Sequence, residues 1–241
     1  MTLAPIELYN GTLFTIFVLI SILLGLRIAS RYFEKKDRVF LLVGFSWIFI
    51  VCPWYPSTIA FFNALITGAS PGLSAEIYFI LGNIFIPVAL FLWLIALTDL
   101  LFPKKQILII TLGIIYALAF YILFFYLLSI DPSLIGELRG DIDVSYNLFI
   151  AIFLAFTILI VLITGILFAR PSLDSEDPKI RLKGKLLIIA FISYTIGTFI
   201  DALVTKNFIT ITIMRVLEIS SAIEFYGGFM LPKWMEKLFL K

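Results

Sequence analysis

Seven runs of apolar residues, each roughly 20 long, leave this chain few ways to fold. They lie at 12–30, 38–57, 77–102, 106–129, 145–169, 184–205 and 209–231. A backbone N–H or C=O left unpaired in hydrocarbon is so costly that a chain in lipid must pair internally, as helices or as a closed barrel. Barrel strands alternate with a period of two, whereas these runs are continuous, so helices are expected. Hydrophobic residues make up 62% of the chain and charged residues 14%, against about 45–50% and about 25% in soluble domains. The expected fold is all-α: a polytopic membrane protein of the cell membrane, with one seven-transmembrane helix bundle over residues 1–241.

The basic residues orient that bundle. Arg27, Arg31, Lys35, Lys36 and Arg38 surround the first connection, and the second, from Asn63 to Glu76, has none. Lys104 and Lys105 follow the third run. In the next connection Arg139 is outnumbered by Asp131, Glu137, Asp141 and Asp143. Arg170, Lys179, Arg181, Lys183 and Lys185 follow the fifth run, Lys206 lies after the sixth, and Lys233, Lys237 and Lys241 end the chain. Fifteen of the eighteen basic residues thus fall on one side, two on the other, and Arg215 inside a span. The positive-inside rule places the fifteen in the cytoplasm, with the N-terminus outside and the C-terminus cytoplasmic. The segment before the first run carries Glu7 and no Lys or Arg, which predicts that the first helix is retained rather than cleaved as a signal peptide.

Local chemistry adds detail. Cys52-Pro53-Trp54-Tyr55-Pro56 puts helix-ending prolines beside interfacial aromatics, and Ser57 and Thr58 are placed to cap a short interfacial helix through about Ile66. Pro87 should kink the third helix where a neighbour re-satisfies the freed carbonyl. Ser172 to Pro178 reads as a flexible loop, and Lys233 to Lys241 either as a plain stop-transfer anchor or as a short basic amphipathic tail on the inner surface. Asn10-Gly11-Thr12 matches a glycosylation sequon. Runs four and five hold few polar groups and should form lipid-facing or partner-facing walls.

Ionisable groups inside a membrane cost at least ~2.5–3.5 kcal/mol each, so each needs a partner or a purpose. Arg215 and Glu218 share a face of the last helix at i, i+3, and Asp201 lies at similar depth on its antiparallel neighbour. An Asp201–Arg215–Glu218 cluster on the outer half is expected. It either locks the register of two helices or lines a water-filled cavity that binds a small ligand or ion. Tyr194, Thr198 and Asp201 form an i, i+4, i+7 polar stripe beside Ser193 and Gly197. Asn83 on the third helix reaches the same half, either as a further site residue or as an interhelical hydrogen bond. Glu224 lies about 180° around the helix from Arg215 and stands apart, as a proton or cation site or as a neutral hydrogen-bonded side chain. Asp99, near Lys104 and Lys105, reads as an interfacial charge.

Several function classes lose their chemistry. With no histidine and one cysteine, Cys52, the usual haem ligand, zinc clusters and the commonest general base are missing. No nucleophile, base and metal constellation can be assembled, so an enzyme is not expected, nor any cofactor. A net charge of +2 carried in short loops gives nucleic acid no footprint. The last helix has no lysine of the kind that retinal proteins use, and the Tyr-Asp and Gly-x-Gly-Asp motifs of intramembrane aspartyl proteases are absent.

In its layout, and in the end of the last helix, Gly227-Gly228-Phe229-Met230-Leu231-Pro232-Lys233-Trp234, the chain resembles seven-transmembrane sensory modules. These are the N-terminal membrane domains of some histidine kinases and stand-alone archaeal-type relatives. The resemblance implies a receptor-like module that binds a small ligand in the bundle and signals to a cytoplasmic partner. A small SWEET-like transporter shares length and layout, although of that family's characteristic prolines only Pro53 is present. The third reading is an accessory subunit of a larger complex. The partners expected are the lipid bilayer, a cytoplasmic signalling protein or membrane subunits, and a second copy of the chain.

Overall fold

The structure, a computed structural model, describes residues 3–68 and 70–240. The first helix, α1 (Pro5–Lys35), begins earlier than the apolar run. Pro5 is pre-set for a first helical turn, and Glu7 turns back to accept from the Ala4 N–H at 2.9 Å. It ends where Lys36 takes a left-handed conformation. Next comes α2 (Val39–Ile50), which breaks at a 3-10 turn over Cys52–Trp54 and resumes as α3 (Tyr55–Thr67). The expected caps of α3 do other work: Ser57 Oγ bonds the Tyr78 hydroxyl at 2.5 Å, and Thr58 Oγ1 donates back to the Trp54 carbonyl at 2.9 Å. The helix has already begun at Tyr55, with Pro56 in its first turn.

The third run is also split, into α4 (Ala75–Asn83) and α5 (Ile86–Leu101). Pro87 has no N–H and crowds the carbonyl one turn back, so the backbone opens at Ile84–Phe85. The Tyr121 hydroxyl donates to the Ile84 carbonyl at 2.6 Å, supplying the partner that a break at this depth needs. Tyr121 belongs to α6 (Gln106–Ile130). A β-hairpin follows that the sequence reading does not anticipate: β1 (Gly136–Arg139) pairs antiparallel with β2 (Asp143–Tyr146), with Gly140 at φ 63° in the turn. The fifth run is α7 (Leu148–Leu173), which continues past Pro171 in its last turn. The sixth is α8 (Pro178–Leu203), capped by Asp177, whose Oδ1 accepts from the Lys179 N–H at 2.8 Å. The flexible loop expected from Ser172 to Pro178 is therefore a turn over 174–177. The chain ends in α9 (Phe208–Met230) and α10 (Lys233–Phe239).

Among the described residues, six stretches are long and apolar enough to cross a membrane: Pro5–Lys35, Val39–Thr67, Ala75–Leu101, Pro103–Ile130, Leu148–Leu173 and Pro178–Leu203. These make the chain an all-α, multi-pass candidate for a membrane. Helix α9 is set apart from the six by Arg215, Glu218 and Glu224. It packs along α8 on one side and α1 on the other, while α2 lies against α1 and α5, and α7 against α8 and α5. The α1–α2 approach is close enough that a Cβ on Gly44 would sit 2.7 Å from the Ala29 nitrogen, so only glycine is accommodated. Helix α6 lies outermost, burying only Gly113, Phe120 and Phe124. The sparse polar groups of α6 and α7 fasten helices together: Tyr116 bonds Thr157 at 2.9 Å, and the Trp93 indole donates to Thr164 at 2.8 Å.

The two ends of the bundle differ. At one, Arg38 binds Asp99 through two hydrogen bonds of 2.7 Å, and Gln106 adds a third at 2.6 Å. Asp99 thus pairs across helices rather than with Lys104 and Lys105. At that end too, Lys179 meets Glu236 of α10 at 2.7 Å, and α10 buries Met235 while leaving Trp234, Leu238 and Phe239 exposed. At the other end the hairpin is tied down. The Asp141 N–H donates to Glu7 Oε1 at 3.1 Å, the Tyr78 hydroxyl donates to the Ile142 carbonyl at 3.2 Å, and Ser70 bonds the Asp141 carboxylate.

Candidate functional site

The site begins with how α9 starts. Asn207 Oδ1 accepts from the N–H groups of Ile209 and Thr210 at 2.9 and 3.0 Å, and Thr210 Oγ1 accepts from the Asn207 N–H at 2.9 Å. This reciprocal cap fixes where α9 begins, and with it the depth of Arg215, two turns on. Arg215 is 1% exposed and Glu218 fully buried. The guanidinium donates through Nη1 to Glu218 Oε2 at 2.6 Å and to Asp201 Oδ2 at 3.3 Å, through Nη2 to Asp201 Oδ1 at 3.2 Å, and through Nε to Asn10 Oδ1 at 3.1 Å. The ring of Phe14 lies 5.8 Å from its centre, in cation–π range. Gly197 on α8 makes room for this arrangement, since a Cβ there would sit 3.0 Å from Glu218 Cγ.

Asp201 extends the network outward. It accepts from the Trp54 indole at 3.0 Å and pairs with Lys206 at 3.1 Å. Lys206 in turn holds both oxygens of Asp143 on the hairpin at 2.6 Å. Burial pushes the Lys206 ammonium down, but Asp201 and Asp143 push it up by more, so it stands above the ordinary lysine range. A continuous chain of charges therefore runs from buried Glu218 through Arg215, Asp201 and Lys206 to Asp143. Glu218 Oε1 is buried without a hydrogen-bond partner among the described residues.

Beside this chain lies a cavity of about 610 Å³, bounded by the hairpin, the hairpin-side halves of α7 and α8, and the break between α2 and α3. Its volume suits a small organic ligand. Asp201, Lys206 and Arg215 form one wall, and Leu154, Ile158 and Phe199 an apolar one. Tyr194 and Thr198 line its lower part; Tyr194 donates to the Ile50 carbonyl at 3.0 Å, and Thr198 to the Tyr194 carbonyl at 2.8 Å. Below Tyr194 the bundle is filled by aromatic rings. Trp47 stacks on Phe225 at 4.2 Å between centroids and touches Tyr194 at 5.5 Å, and Phe191 bridges Phe225 to Trp93 at 5.8 and 5.3 Å. The void among these rings is about 10 Å³, at the lower limit for a single water.

The structure brings Asp201, Arg215, Glu218, Tyr194 and Thr198 to one region and leaves two predicted residues outside it. Asn83, fully buried, sits one layer behind the wall, donating to the Phe79 carbonyl at 2.9 Å and to the Tyr146 hydroxyl at 3.2 Å. Burial pushes the Tyr146 phenol well above its usual range, so that hydroxyl stays neutral. Glu224, elsewhere on α9, faces Ser193 of α8 and Ser220 of its own helix, and no cation pairs with it among the described residues.

Three partners escaped the sequence reading. Asn10, taken as the acceptor of a sequon, is 5% exposed with its amide oxygen committed to Arg215. The signal was an amide in the first turns of a helix that Pro5 starts early. Lys206 and Asp143 join through a hairpin that local periodicity does not reveal. Among the described residues, no group of His, Cys, Asp and Glu is placed to hold a metal ion. Set against descriptions of known protein families and against curated proteins, the sequence matches none.

Proposed function

We propose that the chain is a seven-span membrane protein, N-terminus outside and C-terminus cytoplasmic, acting as a receptor-like sensory module. Its outward cavity receives a small ligand, and its basic end addresses a cytoplasmic partner. The seventh span is α9: its 23 residues reach ~35 Å at about 1.5 Å per residue, and its central cation is matched by Asp201 and Glu218. The fifteen-to-two division of basic residues supports the orientation.

The observation that carries the sensory reading is the asymmetry of the interior. The polar cavity occupies the half that holds the hairpin, and the half below is closed by the Trp47–Phe225 stack and its neighbours. A ligand held above such a layer changes the packing beneath it, which is what a sensor requires. The linked contacts of Tyr194, shared between cavity and aromatic layer, are the element through which occupancy is felt below.

Topology is tested by placing single cysteines at Thr205→Cys and Lys237→Cys, either side of α9, in a Cys52→Ala background. Both parent residues are exposed. A membrane-impermeant maleimide should label the first in intact cells and the second only after permeabilisation. Labelling of both from one side would show that α9 does not span, and the proposal would fall.

A further inference from the structure

The cavity wall carries three cations, Arg139, Lys206 and Arg215, and two carboxylates, Asp143 and Asp201. Arg215 is committed on every nitrogen, to Asn10, Asp201 and Glu218. Lys206 is held between Asp143 and Asp201. Arg139 is different. The hairpin register sets it opposite Asp143, the acid expected to neutralise it, but Asp143 gives both oxygens to Lys206 at 2.6 Å. What remains for Arg139 among the described residues is one hydrogen bond, from Nη2 to Ser145 Oγ at 2.8 Å. Glu137 shares its strand face, but it lies outside the cavity wall and forms no ion pair with Arg139 among the described residues. A guanidinium has five donors in a fork shaped for a carboxylate or a similar oxyanion, so most of this one is free to act.

The rest of the chamber is apolar along the side that Arg139 overlooks. Val144 of the hairpin, Leu154 and Ile158 of α7 and Phe199 of α8 line it down to Tyr194. We infer that the cavity binds a small amphipathic anion, its carboxylate or equivalent oxyanion held by Arg139 at the hairpin and its hydrocarbon body lying between α7 and α8. This rests on the reading of the cavity as a ligand site and adds the ligand's class. The Asp201–Arg215–Glu218 cluster is then the scaffold that holds the wall, and the recognition charge comes from the hairpin.

The test uses the full chain in phosphatidylcholine nanodiscs with octanoate, octanol and octylamine, which share a body and differ in head charge. Binding is read from thermal stabilisation and from tryptophan emission, Trp54 being part of the wall. Octanoate should bind saturably and at least about tenfold more tightly than the other two. Arg139→Gln, which alters an exposed side chain on the hairpin, should keep the unliganded melting temperature, lose about tenfold or more in octanoate affinity, and bind octanol as wild type does. Arg139→Lys should recover part of the loss. A second arm replaces phosphatidylcholine by phosphatidylglycerol without octanoate: stabilisation there, removed by Arg139→Gln, assigns the anion to a lipid headgroup rather than to a free carboxylate. Equal binding of all three probes, or unchanged octanoate affinity in Arg139→Gln, overturns the anionic class and leaves the ligand site standing. No saturable binding of any probe overturns both.

Discussion

Replacing Arg215 by Met should be among the most damaging single changes in the bundle, and the damage should be traceable to Glu218. The guanidinium lies 2.6 Å from Glu218 Oε2, and both residues are buried, at 1% and 0% exposure. At an effective dielectric of about 20, opposite charges ~4 Å apart attract by about 4 kcal/mol. Removing one partner leaves the other buried without its counter-charge, to be carried as an orphan ion or neutralised by taking up a proton, and breaking buried pairs in this way costs about 3–5 kcal/mol. Asp201 suffers less, because Lys206 and Trp54 remain bonded to it. For Glu218, no other cation lies within ion-pair distance and its Oε1 has no hydrogen-bond partner among the described residues. Arg215→Met should therefore destabilise by about 3–5 kcal/mol, whereas Glu218→Gln alone should cost about 1–3 kcal/mol, the penalty of a weakened buried hydrogen bond. Combined, the two should cost at least about 1.5 kcal/mol less than their sum, since the double variant buries no orphan charge. Equilibrium unfolding in mixed micelles with rising dodecyl sulfate, followed by far-UV circular dichroism, measures all four corners of the cycle. Additivity within about 0.5 kcal/mol, or a loss below about 1 kcal/mol for Arg215→Met, would refute the argument that this pair holds α9 in place.

Other contacts make smaller, separable predictions. Tyr121→Phe leaves the Ile84 carbonyl at the α4–α5 break without its 2.6 Å partner; it should cost about 1–3 kcal/mol in the same unfolding assay, and a neutral result would mean that the break needs no outside donor. Asp143→Asn frees Lys206 from the hairpin. Hydrogen exchange over residues 136–146 should then speed up several-fold with no change in the helices, and unchanged exchange would show that the hairpin is held by its bonds to Glu7, Tyr78, Ser70 and Gly72 without Lys206. Arg38→Ala breaks a pair whose arginine side chain is 65% exposed, so despite its two-pronged geometry the unfolding midpoint should stay within the error of the assay. A larger shift would mark Asp99 as dependent on that pair rather than on Gln106.

What could be read from the sequence follows the range of the interaction. Long apolar runs are local features, and α6 lies over Gln106–Ile130 against an expected 106–129, whereas α1 extends to Pro5–Lys35 against 12–30 and the second and third runs are each broken in two. The contact between Asp201 and Arg215 also follows from local rules, because a short connection brings antiparallel neighbours together and a three-residue spacing puts Glu218 on the same face. The remainder depends on partners far apart in the chain. Asn10 meets Arg215 across 205 residues, and Lys206 meets Asp143 across 63. Arg38 takes Asp99 from the lysines nearest it in sequence because α2 and α5 pack side by side. The hairpin was hidden for another reason: its strands are four residues each and polar, with too little alternation to stand out. Ser57 looked like a cap because the sequence does not show that Pro56 already lies inside the helix.

The central claim is that one half of the bundle is an accessible chamber and the other is sealed by aromatic rings. It is tested most directly by thiol accessibility at two depths, in a Cys52→Ala background with the protein in sealed vesicles of known orientation. Thr198→Cys lies in the chamber wall, and Ser46→Cys lies beside the 10 Å³ void among Trp47, Trp93 and Phe225. A small, charged methanethiosulfonate reagent should modify Thr198→Cys from the hairpin side only, and Ser46→Cys from neither side. Modification of Ser46→Cys from the basic side, or of Thr198→Cys from both, would reveal a path through the aromatic layer and contradict the account.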